Sequence, residues 1–335
     1  MKTIRNISAL GKVRAPICLA AGFFDGVHRG HQEVLRRTVE CAKRAGGQAW
    51  VLTFDTHPSK VLRPDSAPLM LTSIPHKVDL MRRLGIDGCL LIPFTPAFAA
   101  MPPETFLARL GRGAPSLTRV FVGADWRFGR GGGGDTAMLA AWGRAHDVAV
   151  VEVPPVHWRG RPISSTRIRD AIARGNLAEA AALLGRPFSI LGTVIRGNRI
   201  GRTLGFPTAN LDPHNEVRPP VGAYAVRAIV GQQSFAGIAN FGHHPTVRKA
   251  PAPCLELHLL GTRQELYGRQ IEVFFMAALR PERVFSSRAA LARQIRLDAA
   301  EANRILSAAR CENKWIGTLQ TWYPDTIVKP QNKKR

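Results

Sequence analysis

Residues 20–35, AAGFFDGVHRGHQEVL, pass from an apolar run through a Gly/Asp turn and two histidines three apart into a helix-like stretch. A chain that leaves a buried strand in this way exposes backbone N–H groups at the strand end. The following helix adds partial positive charge at its N-terminus, so the junction favours a polyphosphate. His28 and His31 supply donors that can follow negative charge as it develops on phosphate oxygens. H-x-G-H is a short motif that ordinary loops also carry, so its weight depends on what surrounds it. The order strand, loop, helix is then repeated through the first half of the chain. Apolar runs at 17–23, 49–54, 88–92, 120–122 and 148–153 alternate with helix-like segments near 32–45, 77–84, 103–110 and 136–145. That alternation predicts a parallel sheet wrapped by helices, with ligands gathered at the carboxyl ends of the strands. His28, Asp55 and Asp125 all stand just after predicted strands.

From residue 164 the pattern becomes two short helices, 166–174 and 177–184, with Gly175 ending the first and Asn176 capping the second. The pair has the spacing of a helix-turn-helix, and Arg167, Arg169 and Arg174 lie on its first helix. Its second helix, AEAAALLG, offers almost nothing to read base edges, so a packing hairpin is the better reading. After 185–190 the period changes to short β runs at 190–195, 224–230, 233–240, 254–260 and 270–276 separated by Gly/Pro turns. This spacing suggests a small antiparallel barrel. Residues 286–306 then form an amphipathic helix with Ala290, Leu291, Ile295 and Ile305 on its apolar side, placed to close the barrel. The expected limits are 1–185, 186–310 and a basic extension, 311–335, that carries Trp315, Trp322 and Pro324.

A length of 335 residues exceeds what one core usually organises, in keeping with two domains. Hydrophobic residues at 45% and charged residues at 21% describe a globular chain rather than a disordered one. Five cysteines, with no C-x-x-C spacing, argue against a disulfide framework or a zinc site and point to a reducing cytoplasm. Lys2, Arg5, Lys12 and Arg14 precede the run at 17–24 much as in a signal peptide. That run is short and meets Asp25 and His28 without a small-residue cleavage pattern, so it reads as the first buried strand. No stretch approaches the roughly 20 apolar residues of a membrane span. The net charge of +23 suits phosphate-rich ligands and is spread along the chain, at Arg36 and Arg37, Arg82 and Arg83, and 333–335. Spread charge reads mostly as a solvated surface, and nucleic acid is not the expected partner.

Further motifs accompany GFFDGVHRGH in order: TFDTHP at 53–58, VGADWRFGRGGGGD at 122–135 and ISSTRIR at 163–169. Together they resemble the adenylyltransferase half of the prokaryotic bifunctional riboflavin kinase/FAD synthetase family. GTVIRGNRIGRTLGFPTAN at 192–210, ANFGHHPTV at 239–247, LELHL at 255–259 and ELYG at 265–268 resemble that family's riboflavin kinase module. The resemblance covers residues 15–310 and implies an α/β, Rossmann-like nucleotidyltransferase domain followed by a small antiparallel β-barrel kinase domain with a terminal helix. It implies two reactions, riboflavin to FMN and FMN to FAD, both with ATP and Mg²⁺ and the second releasing pyrophosphate.

By that resemblance His28 and His31 bind and stabilise phosphates, while Gly26 and Gly30 let backbone approach closely. Ser164, Ser165, Thr166, Arg167 and Arg169 stand at a helix start that faces the outer phosphates. No protein nucleophile is needed, because the FMN phosphate attacks the α-phosphorus itself. Asp55, His57, Asp125 and Phe128 lie in stretches similar to the family's flavin- and nucleotide-contacting loops. Thr56 and Trp126 depart from the usual Pro and Phe there.

In the kinase half Gly197, Gly201 and Arg202 belong to the cover over ATP, and the absence of GxxxxGK[ST] excludes a Walker-type kinase. Thr208 and Asn210 offer hard oxygens to Mg²⁺. Glu256 resembles the catalytic base and shares a strand face with His258, alternating with Leu255, Leu257 and Leu259. Arg280 is a further flavin-contact candidate. The stretch LLGTRQ at 259–264 replaces the family's usual acidic-aromatic segment. A nucleotidyltransferase for another acceptor shares the H-x-G-H chemistry but has no use for the kinase motifs.

Overall fold

The structure, a computed structural model, describes residues 1–196, 206–242, 254–262, 265–311 and 327–328. Gly197, Gly201 and Arg202 lie outside these residues, as does most of the basic extension. Contacts divide the chain into two compact units, Met1–Met70 with Ile74–Ser165, and Leu71–Ser73 with Thr166–Arg335.

The first unit holds a parallel sheet of six strands: β1 (Lys2–Ile4), β2 (Ile17–Ala21), β3 (Gln48–Phe54), β4 (Gly88–Ile92), β5 (Leu117–Gly123) and β6 (Ala149–Val153). Their order in the sheet is β1-β4-β3-β2-β5-β6. The run at 17–24 is thus a buried strand but the second in the chain, because Lys2–Ile4 pairs in parallel with Gly88–Leu90 at the sheet edge. Every residue of β2 and β4 is buried, which explains their unbroken apolar runs: helices cover both faces of the sheet. Trp50 on β3 is buried opposite Gly88 on β4, where any Cβ would collide with the indole ring.

The chain proceeds from β2 to β3 and β4 on one side, then crosses to β5 on the other side of β2. The switch point therefore lies between β2 and β5, where open α/β sheets bind ligands at the strand ends. Helix α1 (Arg29–Arg44) starts at the loop after β2. It buries Val34, Leu35, Thr38, Val39, Cys41 and Ala42 and keeps Arg36 paired with Glu33 and Glu40 outside. Five further helices belong to this unit: α2 (Pro58–Leu62), α3 (Ile74–Arg83), α4 (Pro96–Ala99), α5 (Pro103–Gly113) and α6 (Thr136–Ala145). The helix expected at 77–84 begins three residues earlier, at Ile74, so Lys77 lies within α3 rather than at its start.

Two helices follow, α7 (Ser165–Ala173) and α8 (Leu177–Leu184). Asn176 caps α8 through the Glu179 N–H, and Gly185 ends it in the left-handed region at φ 70°. Leu177, Ala180, Ala181, Leu183 and Leu184 are buried, as a packing hairpin requires. From Thr166 onward the pair is grouped with the second unit.

That unit is built on β9 (Ser189–Ile195), β10 (Ala209–Pro213), β11 (Gly222–Val230), β12 (Gln233–Gly242), β13 (Cys254–Leu259) and β14 (Gln270–Pro281). A small hairpin, β7 (His157–Trp158) with β8 (Arg161–Pro162), precedes them in the first unit. The order β11-β14-β9-β10-β13-β12 is closed by pairing of β11 with β12, giving an antiparallel barrel of six strands with no free edge between first and last. Helix α9 (Arg288–Cys311) packs Ala302 and Leu306 against Ala225, Ala236 and Ile238, as expected of a closing helix. Within the extension, β15 (Ile327–Val328) pairs in parallel with Gln233 and Ser234 of β12, an element that nothing in the tail's composition announced.

Candidate active site

In the first unit the loop after β2 turns sharply. Phe24, Gly26 and Val27 all have positive φ, at 58°, 78° and 42°. Gly26 adopts this without cost, whereas for the β-branched Val27 it costs on the order of 1–3 kcal/mol. Such strain persists where surrounding structure enforces it, and here it delivers His28 to the start of α1. The His31 N–H donates to His28 Nδ1 at 3.3 Å, so His28 caps the helix. A neutral imidazole that accepts at Nδ1 carries its proton on Nε2, leaving that N–H as a donor. His28 and His31 stack, with ring centroids 3.6 Å apart and planes 17° off parallel. A Cβ on Gly30 would stand 3.2 and 3.3 Å from His28 Cε1 and Nδ1, so the glycine leaves room for this ring.

His31 is kept neutral: burial, then His28, then Lys77 push it well below the ordinary histidine range. Its Nδ1 atom is out of solvent and has no hydrogen-bond partner among the described residues. A neutral His31 stacked on His28 at a helix N-terminus can donate to an anion without adding a second positive charge to the pair. Ser165, the first residue of α7, donates its hydroxyl to Asp25 O at 3.0 Å and ties the start of that helix to the same loop.

Ser164 and Thr166 flank Ser165 and are exposed. Arg167 donates to Glu179 of α8 at 3.1 and 3.2 Å, and Arg169 is half-buried two residues further on. Asp55, just after β3, accepts from the Phe94 N–H at 3.2 Å and lies 3.7 Å from Arg5. His57 caps α2 and meets the edge of Phe23 at 4.5 Å. Asp125 is exposed after β5, while Phe128 is buried and stacked on Trp126 at 4.7 Å.

Lys77 escaped the sequence reading, although it sits in the stripe of α3 with Leu80 and Met81 three and four residues on. A lysine in an apolar stripe is the signal that could have found it. It is fully buried and donates to Phe23 O at 2.9 Å, Thr53 Oγ1 at 3.1 Å and Phe54 O at 3.1 Å.

In the barrel, strand register assembles what the sequence separates. Asn210 on β10 stands opposite Glu256 on β13, and Glu256 stands opposite Asn240 on β12. Directly opposed residues share a sheet face, so the three form a polar row across adjacent strands. Leu255, Leu257 and Leu259 are buried and Glu256 and His258 half-buried, the alternation expected of this strand. His258 Nδ1 lies 2.9 Å from Pro207 O, and the Phe206 ring meets the His258 ring edge-on at 5.5 Å. The FPTAN segment, with Thr208 two residues before Asn210, therefore lies against the strand that carries Glu256. Arg280 on β14 is held by Asp298 of α9, with three contacts of 2.8 to 3.1 Å.

These two constellations fall in segments that match known families. Residues 12–167 match the FAD synthetase family and residues 184–306 the riboflavin kinase family. The bifunctional riboflavin kinase/FMN adenylyltransferase of Escherichia coli K12 is 36% identical over 92% of this chain and 99% of its own length. That of Bacillus subtilis 168 is 34% identical over 89% and 95%. A solved structure described as a macrolide-efflux protein from Streptococcus pneumoniae has the same fold, with a TM-score of 0.76 and 29% identity over 90% of this chain and 98% of that one. The chain belongs to the family of bifunctional riboflavin kinase/FMN adenylyltransferases, which phosphorylate riboflavin to FMN and adenylylate FMN to FAD with ATP.

Proposed function

We propose that the two reactions are carried by two separate sets of residues, divided near residue 185. The observation that carries this reading is that each set assembles within its own fold: His28, His31 and Ser165 around one loop, Asn210 and Glu256 across one strand pair. The two family matches do not overlap: the first ends at 167 and the second begins at 184.

In the adenylyltransferase half, the Nε2–H of His28, the neutral His31 and the N-terminus of α1 receive the phosphates of ATP. Gly26 and Gly30 shape the loop around them. Ser164, Ser165, Thr166, Arg167 and Arg169 serve the outer phosphates, and Asp55, His57, Asp125 and Phe128 the flavin. The FMN phosphate attacks the α-phosphorus in line, and donors already in place meet the charge that builds on pyrophosphate.

In the kinase half, Glu256 takes the proton of the ribityl 5′-hydroxyl. Thr208 and Asn210 present neutral oxygens, the donor type that suits a cation whose charge is met by polyphosphate. Mg²⁺ held there would neutralise charge on the β- and γ-phosphates. Gly197, Gly201 and Arg202 are assigned to the ATP cover and Arg280 to the flavin side. The basic surface serves these anionic ligands rather than nucleic acid, and the enzyme works in the cytoplasm, a compartment in keeping with its free, buried Cys18, Cys41 and Cys89.

The test is a time course with riboflavin, ATP and Mg²⁺ in which flavins are separated by chromatography. FMN appears first and FAD second, and both cease when the metal is chelated. Turnover unaffected by chelation would remove Thr208 and Asn210 from the assignment.

A further inference from the structure

We propose that Lys77 is a positioning residue for adenylyl transfer, tying the ends of β2 and β3 together so that the loop after β2 presents His28 and His31 to ATP in one fixed geometry. The proposal rests on the assignment of adenylyl transfer to the first unit. An ammonium has three N–H donors, and those of Lys77 are given to Phe23 O, Thr53 Oγ1 and Phe54 O. Two of these acceptors belong to β3 and one to the loop after β2, so a single side chain from α3 pins both strand ends. Thr53 reinforces the pin by donating its own hydroxyl to Phe23 O at 2.9 Å.

The pinned residues lead directly to the candidate donors. The ammonium also lies over the Phe23 ring, 4.1 Å from its centroid. Phe23 packs on His57 at 4.5 Å, and its neighbour Phe24 packs on His31 at 5.2 Å. A shift of Phe23 therefore moves the ring against which His31 is set. No part of Lys77 is exposed, so it acts through these groups and not by touching substrate.

A fully buried cation on neutral acceptors is costly, and an apolar residue of similar length would fill the same space. What the apolar residue lacks is the three-way tie and the charge. Burial lowers the Lys77 ammonium to about 8, opposed by Asp25 in the loop after β2, Cys89 on β4 and Asp55 after β3. His31 on α1 senses the same charge. Above that pH the amine keeps two donors and loses the third together with its charge, so the tie loosens as pH rises.

The experiment compares wild type, Lys77→Met and Lys77→Arg in the full-length protein. It measures kcat and KM(ATP) for adenylylation of supplied FMN from about pH 6 to about pH 9.5, with a thermal melt as the folding control and riboflavin phosphorylation as the reference activity of the other unit. Wild type should lose adenylylation kcat on a basic limb near pH 8. Lys77→Met should lower kcat about tenfold or more, the scale of a displaced catalytic group. It should also lack that limb, with kinase rates maintained. Lys77→Arg, which keeps its charge throughout this range, should also lack the limb and retain more activity than Lys77→Met. A wild-type kcat flat through the limb, or a Lys77→Met enzyme with unchanged kcat and pH profile, would overturn the proposal. Should Lys77→Met fail to fold, the wild-type and Lys77→Arg profiles still decide it. A wild-type enzyme that makes no FAD from FMN would instead refute the assignment of adenylyl transfer itself.

Discussion

The parallel-sheet unit and the barrel build their sites by different means. In the first, chemistry is concentrated in one loop: His28 and His31 are three residues apart, and the left-handed turn at Phe24–Val27 and the cap on α1 fix both. In the second, Asn210 and Glu256 are far apart in sequence and meet only because β10 pairs with β13 in one register. A local site is protected by loop strain and helix capping, whereas a site set by register depends on the barrel closing correctly. A one-residue slip would turn Glu256 to the other face. Substitutions in the loop should thus act on chemistry with little effect on folding, while those that disturb the strands should remove both together.

The largest expected effect concerns the base. Glu256→Gln keeps volume and hydrogen-bonding reach but cannot accept the proton, so riboflavin phosphorylation should fall by about 10²- to 10⁴-fold in kcat. Adenylylation of supplied FMN should continue at nearly the wild-type rate. Kinase kcat at wild-type level would reduce Glu256 to a strand residue and leave the polar row without its chemical role.

Asn210→Ala tests the same register from the neighbouring strand. It should raise the Mg²⁺ concentration needed for half-maximal kinase activity severalfold while maximal kcat changes less. A titration at saturating ATP reads this directly, and an unchanged Mg²⁺ requirement would leave the metal to groups outside the strand pair.

Gly30→Ala probes the loop of the parallel-sheet unit. Alanine favours a helix over glycine by about 1 kcal/mol, so thermal stability should hold or rise. The new Cβ crowds the His28 ring, and adenylylation should drop severalfold. Loss of stability instead would mean that the loop is governed by packing rather than by the histidine pair.

The smallest effect is a change in pH dependence. Between about pH 8 and 10.5 the folded protein binds fewer protons at Lys77 than the unfolded chain does. The contribution of this residue to stability therefore rises with pH across that window. Burial holds Cys89 up at about 11, so that thiol works in the opposite direction from about its ordinary value of 9. Melting temperatures at pH 7.5 and 10 should diverge more in Lys77→Met than in wild type, with the variant losing relatively more on going to the higher pH.

Much of this was legible because local period and local chemistry agreed. The apolar runs that became β2, β3 and β4 are buried on both faces, and the caps at Asn176 and Gly185 lie where the helix pair needs them. The alternation in LELHL placed Glu256 and Leu257 on opposite faces, but nothing local told which residue would stand across from Glu256. β10 went unread because it is a run of only five residues, ANLDP, that follows Pro207 closely and itself ends in Pro213. β1 is three residues long and takes its stability from β4, far along the chain. Lys77 was hidden for a physical reason: a helical pattern counts lysine as solvent-facing, and only the folded strand ends supply the three acceptors that let it be buried.

The division of labour is tested most directly by His31→Ala, assayed for both reactions in one preparation. Removing a preorganised donor costs about 10²- to 10³-fold in kcat where charge develops. FMN adenylylation should fall on that scale while riboflavin phosphorylation proceeds at the wild-type rate, so that flavin accumulates as FMN. A folded His31→Ala protein that loses both activities, or neither, would contradict that division.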